Sequence, residues 1–253
     1  MTHLEQEFPS ARELFPADCH WSKALPDTCD APFPQETALR LNAALGVRQL
    51  FAAGRRAAHE ALQQLIIAEL AEQKTAAKPS PKTSNLPILK YPTGAPLWPT
   101  HVVGSITHTV GIALAVVGPS HQYAGLGFDV EKITRCPHLS LTTKVCAAEE
   151  RDWIEAPLSE TEPRAQAEDL RSRASFRLLR LLSAKEAVYK TFFPISQIYL
   201  GFTEAQLWPE TWGFRGRLLK KMGEHAPEGL AFRVLQSVED GYLLSACHHL
   251  QSC

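Results

Sequence analysis

The sequence predicts an α+β fold made of two similar halves, each a long helix packed on a small antiparallel sheet. Helical periodicity covers residues 36–73 and again about 164–193. Strand-like runs follow each helical stretch, and their connections are too short for parallel crossovers. Because the order of helix and strands occurs twice, we predict an N-terminal half at 1–120 and a C-terminal half at 121–253.

The composition is that of an ordinary globular protein. The chain has 253 residues, of which 45% are hydrophobic and 21% charged, and its formal net charge of −1 argues against general nucleic-acid binding. No apolar run approaches the roughly 20 residues that a membrane span needs. The six cysteines form no C-x-x-C pair, and the N-terminus lacks the cations and apolar run of a signal peptide. We therefore expect free thiols in a cytoplasmic protein.

The N-terminal half is predicted to begin irregularly and then to turn helical. Residues 1–35 are rich in proline and charge, whereas 36–73 carry apolar residues at helical spacing, with Gly46 splitting the stretch into two helices. The spaced apolar positions are Phe51, Ala58, Leu62 and Leu65. Residues 74–85 contain two prolines and three lysines, and therefore predict a loop.

A turn at 94–99 introduces the strands. Three strands are predicted next, at 102–107, 111–117 and 123–131. A helical region at about 141–155 follows, and then the long helix, which should end before Pro194 because proline disfavours helical geometry in the preceding residue. The last predicted strands lie around Trp208 and at 212–219, 231–238 and 242–247.

The string Gly127–Glu131 places two acids at the end of a buried strand. The period of two puts Asp129 and Glu131 on one face and Phe128 and Val130 on the other. Two carboxylates on one face repel each other unless a cation lies between them, and carboxylates without nearby cysteine or histidine suit Mg²⁺. The alternative is a pair of solvated acids at a strand end.

The string Ser183–Lys190 adds a third acid and an ammonium group. Glu186 and Lys190 stand one helical turn apart, whereas Lys185 lies one step round the helix. The alternative is a salt bridge on the helix surface. Together with the first string, this arrangement suits a metal-bound phosphate.

Two further stretches offer groups that bind anions. Thr107 and His108 follow a strand and would contact phosphate, unless the histidine only satisfies a turn. Arg48 and Arg55 lie seven residues apart and so share a helical face, where they would grip a phosphate or remain solvated. No glycine-rich phosphate loop and no G-x-S-x-G motif occurs, so phosphate would be held by side chains and metal.

At this point five stretches resemble motifs of one family, the 4′-phosphopantetheinyl transferases. Gly127–Glu131 resembles their G-x-D-x-E motif and Ser183–Lys190 their S-x-K-E-x-x-x-K motif. Three more follow the family pattern: Gly104–His108 (S-I-[ST]-H), Ala53–Arg55 (A-G-R) and Gly94–Pro99 (G-x-P-x-W-P). All five occur in family order.

The resemblance implies a fold and an activity. The closest likeness is to the monomeric two-half class that activates siderophore synthetases and fatty-acid carrier proteins, with a pseudo-twofold pair of α+β halves and coenzyme A in the cleft between them. Such a holo-[acyl-carrier-protein] synthase transfers 4′-phosphopantetheine from coenzyme A to a serine of an acyl or peptidyl carrier protein. The reaction depends on Mg²⁺ and releases 3′,5′-ADP.

The resemblance also implies residue roles. Three carboxylates would bind Mg²⁺: Asp129, Glu131 and Glu186. Glu186 and Lys190 would be catalytic, Glu186 as the base for the serine proton, directly or through a metal-bound water, and Lys190 on the pyrophosphate. Coenzyme A would further contact Arg48, Arg55, Thr107, His108 and Asp129. Whether Glu149 or Glu150 assists stays open.

The chain departs from the family pattern at two positions. Leu182 stands where relatives usually carry an aromatic residue, which should alter packing rather than chemistry. Ala95 replaces a basic residue that some members carry, so one phosphate contact is missing or has moved to Lys90.

Residues 163–190 carry seven cations and three anions. We expect this stretch to dock an acidic carrier protein. Two other functions stay open on the sequence alone, a non-catalytic module that binds coenzyme A and a Mg²⁺-dependent phosphohydrolase.

Overall fold

The computed structural model describes residues 10–72, 86–156 and 170–251. The predicted loop at 74–85 and the beginning of the predicted helix at 164–193 lie outside the described residues. In the described part of the chain, no helix is long and apolar enough to cross a membrane. The five cysteines in that part are free thiols, as expected: Cys19, Cys29, Cys136, Cys146 and Cys247.

The first half is a three-stranded antiparallel sheet covered by a long helix. Its helices are α1 (Pro34–Ala38) and α2 (Leu45–Glu72), and its strands are β1 (His20–Ala24), β2 (Leu89–Lys90), β3 (Pro96–Leu97), β4 (Val102–Thr109) and β5 (Ile112–Pro119). The sheet order is β1-β5-β4, and β2 pairs with β3 beside it. Small residues of α2, such as Ala57 and Ala61, pack against Ala115 and Val117 of β5. The predicted split into two helices is present, but it lies at 39–44 and not at Gly46, which belongs to the first turn of α2.

The second half is a five-stranded antiparallel sheet with its own long helix. Its elements are β6 (Tyr123–Lys132), α3 (Thr142–Val145), α4 (Ala148–Glu155), α5 (Leu170–Ser196), β7 (Ala205–Glu210), β8 (Gly213–Leu218), β9 (Ala231–Glu239) and β10 (Tyr242–Leu250). The sheet order is β6-β10-β9-β8-β7, and α5 lies across β6 and β10. The predicted α+β fold is therefore confirmed, as is a long helix followed by strands in each half, but β1 lies in the stretch 1–35 that the sequence predicts to be irregular.

One predicted boundary is wrong, because α5 does not stop before Pro194. The helix continues through Pro194 to Ser196. A proline in the last turn removes only one backbone hydrogen bond, the one to the carbonyl four residues earlier. The buried aromatic residues of that turn, Phe192 and Phe193, favour the extra turn.

Hydroxyl side chains of β4 join the two sheets where β6 is an edge strand. Ser105 Oγ accepts a hydrogen bond from the backbone N–H of Phe128 at 3.1 Å, and Thr107 Oγ1 accepts one from Val130 at 3.3 Å. Side chains thus satisfy backbone groups that a neighbouring strand would otherwise satisfy. This contact fixes the first half against the strand that carries Asp129.

Two glycines let α5 lie directly on β6. A Cβ atom at Gly127 would come within 1.9 Å of the carbonyl oxygen of Ala187, and one at Gly125 within 2.2 Å of that of Thr191. Only glycine leaves room for the helix backbone at this distance. The glycine that opens the string Gly127–Glu131 therefore brings the helix to the acids.

Candidate active site

Asp129 lies at the centre of the site and is only 4% exposed. Lys190 Nζ lies 2.6 Å from Asp129 Oδ1 and donates a second hydrogen bond to Thr107 Oγ1 at 3.1 Å. Thr107 donates its hydroxyl proton to the same Asp129 oxygen at 3.1 Å. The other oxygen, Asp129 Oδ2, is buried and has no hydrogen-bond partner. A buried carboxylate oxygen in this state favours a cation.

The other two acids of the site are half-buried and electrostatically coupled to Asp129. Burial raises the pKa of Glu131, and the charge of Asp129 raises it further, whereas Lys190 and the Thr109 hydroxyl, 3.4 Å from Oε2, lower it. Burial likewise raises the pKa of Glu186. The charge of Lys190 lowers this pKa, and the charge of Asp129 raises it. The structure thus brings the three predicted carboxylates into one negative region.

The described ranges 10–72, 86–156 and 170–251 contain no cluster of three histidine, cysteine or acidic side chains arranged to hold a metal ion. Lys190 occupies one oxygen of Asp129 instead. The donors present still fit a hard divalent cation, because Asp129 Oδ2 is free and Glu131 and Glu186 add only oxygen ligands. The alternative of a Glu186–Lys190 surface salt bridge is not what the structure shows, since Lys190 pairs with Asp129.

Thr107 and His108 lie on opposite faces of β4. The Thr107 hydroxyl donates once and accepts twice, from Lys190 and Val130, so it has no proton left for a phosphate. His108 is exposed on the face toward α2. Desolvation and then the charge of Lys190 lower its pKa, with Arg40 adding to the effect. His108 therefore lies within electrostatic range of the site, whereas Thr107 orients Asp129 and Lys190.

Arg55 is a buried cation without a carboxylate partner among the described residues. It is 4% exposed, it donates to the Leu89 carbonyl at 3.3 Å, and its Nε atom has no partner. Burial lowers its pKa to about 10. The charge of Glu36 raises this pKa, whereas the charge of Arg40 lowers it further. Its guanidinium group lies 4.7 Å from the ring centre of Phe51. Such a group favours an incoming anion.

Sequence reasoning missed Arg40, which lies 5.5 Å from the same Phe51 ring. Arg40 belongs to the turn at 39–44 between α1 and α2, within a stretch that the sequence predicts to be helical. The charge of Arg40 lowers the pKa values of both Arg55 and His108, so Arg40 and Arg55 form a positive region beside a largely neutral His108.

Arg48 lies half-buried in the first turn of α2, about 10 Å along the helix axis from Arg55. Its contact with coenzyme A stays a prediction. Lys90 is half-buried and follows Leu89, whose carbonyl binds Arg55, so its position is compatible with the predicted relocation of a phosphate contact from residue 95.

Two family models match the chain in succession. Residues 35–118 match the N-terminal domain of 4′-phosphopantetheinyl transferases, and residues 125–247 match the 4′-phosphopantetheinyl transferase superfamily. The chain belongs to the 4′-phosphopantetheinyl transferase family. The family resemblance stated from the sequence is thereby confirmed, and the chain is a transferase.

Three curated phosphopantetheinyl transferases are similar to it. The protein named PptT from Mycobacterium tuberculosis (strain ATCC 25618 / H37Rv) is 35% identical over 167 residues, which cover 63% of this chain and 67% of the relative. Svp from Streptomyces mobaraensis is 36% identical over 135 residues, covering 53% and 50%. Npt from Nocardia iowensis is 33% identical over 115 residues, covering 45% of each. The matches thus span between about half and two thirds of these relatives.

In this phosphopantetheinyl transferase, Lys185 and Glu150 form a buried ion pair outside the site. Lys185 Nζ lies 2.7 Å from Glu150 Oε2 and also donates to the carbonyls of Val145 and Phe202 at 2.9 and 2.6 Å. Glu150 also accepts hydrogen bonds from two backbone N–H groups, that of Ala147 at 2.6 Å and that of Leu207 at 2.8 Å. Desolvation lowers the pKa of Lys185, opposed by the Glu150 charge. The pair anchors α5 beside Glu186.

Glu149 has a different environment from its neighbour. Its side chain is exposed, and it accepts a hydrogen bond from Trp208 Nε1 at 2.9 Å. Neither Glu149 nor Glu150 is bound to the cluster around Asp129.

The prediction that the cations of 163–190 form one docking face is wrong for three of them. Arg177, Arg180 and Lys185 are buried. Arg177 donates to the carbonyls of Trp153, Ile154 and Ala156 at the end of α4, and Arg180 donates to Gln236 Oε1 at 3.0 Å. These cations stabilise the interior of the second half. A count of charges along the sequence does not distinguish buried cations from exposed ones.

Proposed function

We propose that this enzyme transfers the 4′-phosphopantetheine group of coenzyme A to a carrier-protein serine in a Mg²⁺-dependent reaction that releases 3′,5′-ADP. Membership of the family supports the transfer, and one observation carries the assignment of the site. A buried and unpartnered oxygen of Asp129 lies in a region where Glu131 and Glu186 add negative charge.

Asp129, Glu131 and Glu186 would hold the Mg²⁺ ion. When bound, Mg²⁺ would supply positive charge that compensates the negative charge of the pyrophosphate. The protein's own contribution is to fix these ligands: Thr107 and Lys190 orient Asp129, and Thr109 orients Glu131.

Glu186 would take the proton of the attacking serine. Its raised pKa makes it a stronger base than a solvated glutamate. As the serine Oγ bonds to the β-phosphorus of coenzyme A, the bond from that phosphorus to the bridging oxygen breaks, and 3′,5′-ADP leaves with the electron pair.

Lys190 would stabilise the charge that develops during transfer. Its ammonium group is held by Asp129 and Thr107, so little reorganisation is needed when negative charge builds on the pyrophosphate. Phosphoryl transfer depends mainly on such positioning and charge compensation.

The 3′-phosphate of coenzyme A would bind at the positive region of Arg40 and Arg55, beside His108. Arg55 supports this assignment because its buried Nε atom lacks a partner. Arg48 and Lys90 would add outer contacts. In this proposal coenzyme A lies between the halves 1–120 and 121–253 of a cytoplasmic monomer, and the acceptor is an acyl or peptidyl carrier protein.

The experiment that tests the function is a mass measurement on the carrier. The protein is mixed with coenzyme A, Mg²⁺ and an apo carrier protein, and the carrier is weighed before and after incubation. A gain of one phosphopantetheine, equimolar with released 3′,5′-ADP, is the expected result. Binding of coenzyme A without that gain would instead identify a binding module, and release of phosphopantetheine without an acceptor would identify a phosphohydrolase.

A further inference from the structure

The second sheet carries three exposed arginines on the face opposite to α5. In β8, Phe214 and Leu218 are buried, and Phe214 packs in the core beside α5, whereas the alternating Arg215 and Arg217 are exposed. Arg233 of β9 is exposed on the same outer face. We call these three arginines, with Trp208 and Trp212, the arginine surface.

The strand register concentrates positive charge on this surface. Arg215 lies directly opposite Arg233, and Trp208 lies opposite Arg215 on the other side. Like charges directly opposite each other in a sheet destabilise the strand pair. The sheet therefore holds charges whose repulsion an anionic ligand would relieve.

The two tryptophans hold the guanidinium groups in place. Arg215 and Arg217 lie 5.0 and 5.4 Å from the ring centre of Trp208, and Arg233 lies 4.8 Å from that of Trp212. Cation–π contacts of this kind restrict the arginine side chains before a ligand arrives, which lowers the entropy cost of binding. A groove of about 470 Å³ is lined by Trp208 and the three arginines, and also by Gly216, Gly229 and Ala231.

The chemistry of the ligand is indicated by Glu210, a carboxylate that already binds at this surface. Arg215 Nε donates to Glu210 Oε1 at 3.0 Å. Among the described residues, no carboxylate pairs with Arg217 or Arg233. Arg215 thus binds a carboxylate of this chain, whereas Arg217 and Arg233 remain available to a ligand.

We propose that the arginine surface binds an acidic, extended peptide segment of a partner protein. Side chains two residues apart on one side of an extended chain repeat at about 7 Å, which is also the spacing of Arg215 and Arg217 along β8. Nucleic acid fits less well, because Trp208 already stacks with two guanidinium groups instead of offering a face to bases.

The surface is separate from the proposed transfer site. Glu186 and Lys190 belong to α5, which covers the opposite face of the same sheet. A bound acidic segment would not compete with coenzyme A, and the inference does not depend on the proposed function.

Binding is tested on the full chain by fluorescence anisotropy with a dye-labelled oligoglutamate peptide. The wild-type chain is expected to bind the peptide with an affinity that falls as salt is added. The triple variant Arg215→Gln, Arg217→Gln, Arg233→Gln should bind about tenfold more weakly or worse, since both arginines available to the peptide are lost together with the charge of Arg215.

A matched control removes three exposed cations elsewhere, with Arg135→Gln, Lys144→Gln and Lys221→Gln. Its affinity should stay within about twofold of wild type. Equal weakening in both triple variants, or no peptide binding by the wild type, would overturn the proposal. Tighter, arginine-dependent binding of a single-stranded oligonucleotide of equal charge would do the same, in favour of nucleic acid. If circular dichroism shows that the arginine triple does not fold, Arg217→Gln and Arg233→Gln are tested singly, and unchanged affinity in both would reject the surface.

Discussion

The negative charge of Glu186 is disfavoured by its surroundings and required by its proposed role. Burial disfavours its negative charge, yet the charge is what a metal ion and a serine proton both need. Residues of this kind lower stability in exchange for activity, and they mark functional sites. Glu186 is therefore the residue at which the proposed mechanism is most directly tested.

We expect Glu186→Gln to lower kcat for carrier modification by about 10²–10⁴-fold, because the amide neither accepts the serine proton nor carries ligand charge. The thermal unfolding midpoint should not fall, since the substitution removes a half-buried charge of the same shape. Carrier mass and circular dichroism measure the two effects. Glu149→Gln is the control, because Glu149 is exposed and bound to Trp208. Near-wild-type turnover in Glu186→Gln would reject its assignment.

Arg55 allows a test that depends on one phosphate group of the substrate. If Arg55 binds the 3′-phosphate, Arg55→Gln should raise the KM for coenzyme A about tenfold to hundredfold with little change in kcat, since a charge-assisted hydrogen bond is lost. With 3′-dephospho-coenzyme A, the wild type and the variant should have similar KM values. An equal KM increase for both substrates would show that Arg55 acts elsewhere or only supports the fold.

At the scale of elements, the helices and strands that periodicity and short motifs encode were predictable from the sequence. Strands β4, β5 and β6, both long helices and the two acid-bearing strings follow from local pattern. Contacts between distant elements do not, because they depend on which faces meet. The hydroxyl of Thr107 therefore appeared as a phosphate ligand, although it orients Asp129 and Lys190. Arg40 was missed because its approach to Phe51 depends on the turn at 39–44, a stretch that the sequence predicts to be helical.

Gly127 is the point where α5 touches β6, and its substitution should disturb both stability and the site. In Gly127→Ala the new methyl group would overlap the Ala187 carbonyl, so the helix that carries Glu186 and Lys190 must shift. We expect a loss of about 3 kcal/mol in the free energy of unfolding and about a hundredfold lower kcat. Urea denaturation and the carrier-mass assay measure these changes.

Gly46→Ala is the matched control for this substitution. No atom lies within 4 Å of a Cβ atom built at Gly46, which is in the first turn of α2. The same chemical change there should be neutral or stabilising by up to about 1 kcal/mol. Equal stability losses in the two variants would contradict the close-approach explanation.

The Lys185–Glu150 pair joins α5 to α4 and should act on stability rather than chemistry. Both side chains are 1% exposed, so Lys185→Met alone leaves a buried charge and should cost about 3–5 kcal/mol. Adding Glu150→Gln should recover part of the loss, which a double-mutant cycle in urea measures. Where the single variant is still folded, its kcat should fall far less than that of Glu186→Gln. Full stability with abolished turnover would instead give Lys185 a catalytic role.

At the scale of the whole molecule, the two predicted halves share a core. One buried cluster draws Leu14, Phe15 and Val116 from the first half and Leu126 and Phe128 from the second. The β4 hydroxyls on β6 and the hydrogen bond from the Tyr242 hydroxyl to the Val110 carbonyl add polar contacts across the same boundary. The predicted boundary near residue 120 therefore does not separate two independent cores.

This shared core predicts that the chain unfolds in one cooperative transition. Leu62→Ala, in the α2 core, and Phe214→Ala, in the α5 core, each remove a fully buried side chain and should each cost about 3–5 kcal/mol. If the halves are coupled, each substitution lowers the midpoint of the same single calorimetric transition, with equal calorimetric and van't Hoff enthalpies. Two resolved transitions, each moved by only one substitution, would show that the halves fold independently. In that case the geometry around Asp129, whose neighbours Thr107 and Lys190 come from different halves, would depend on docking of the halves rather than on folding.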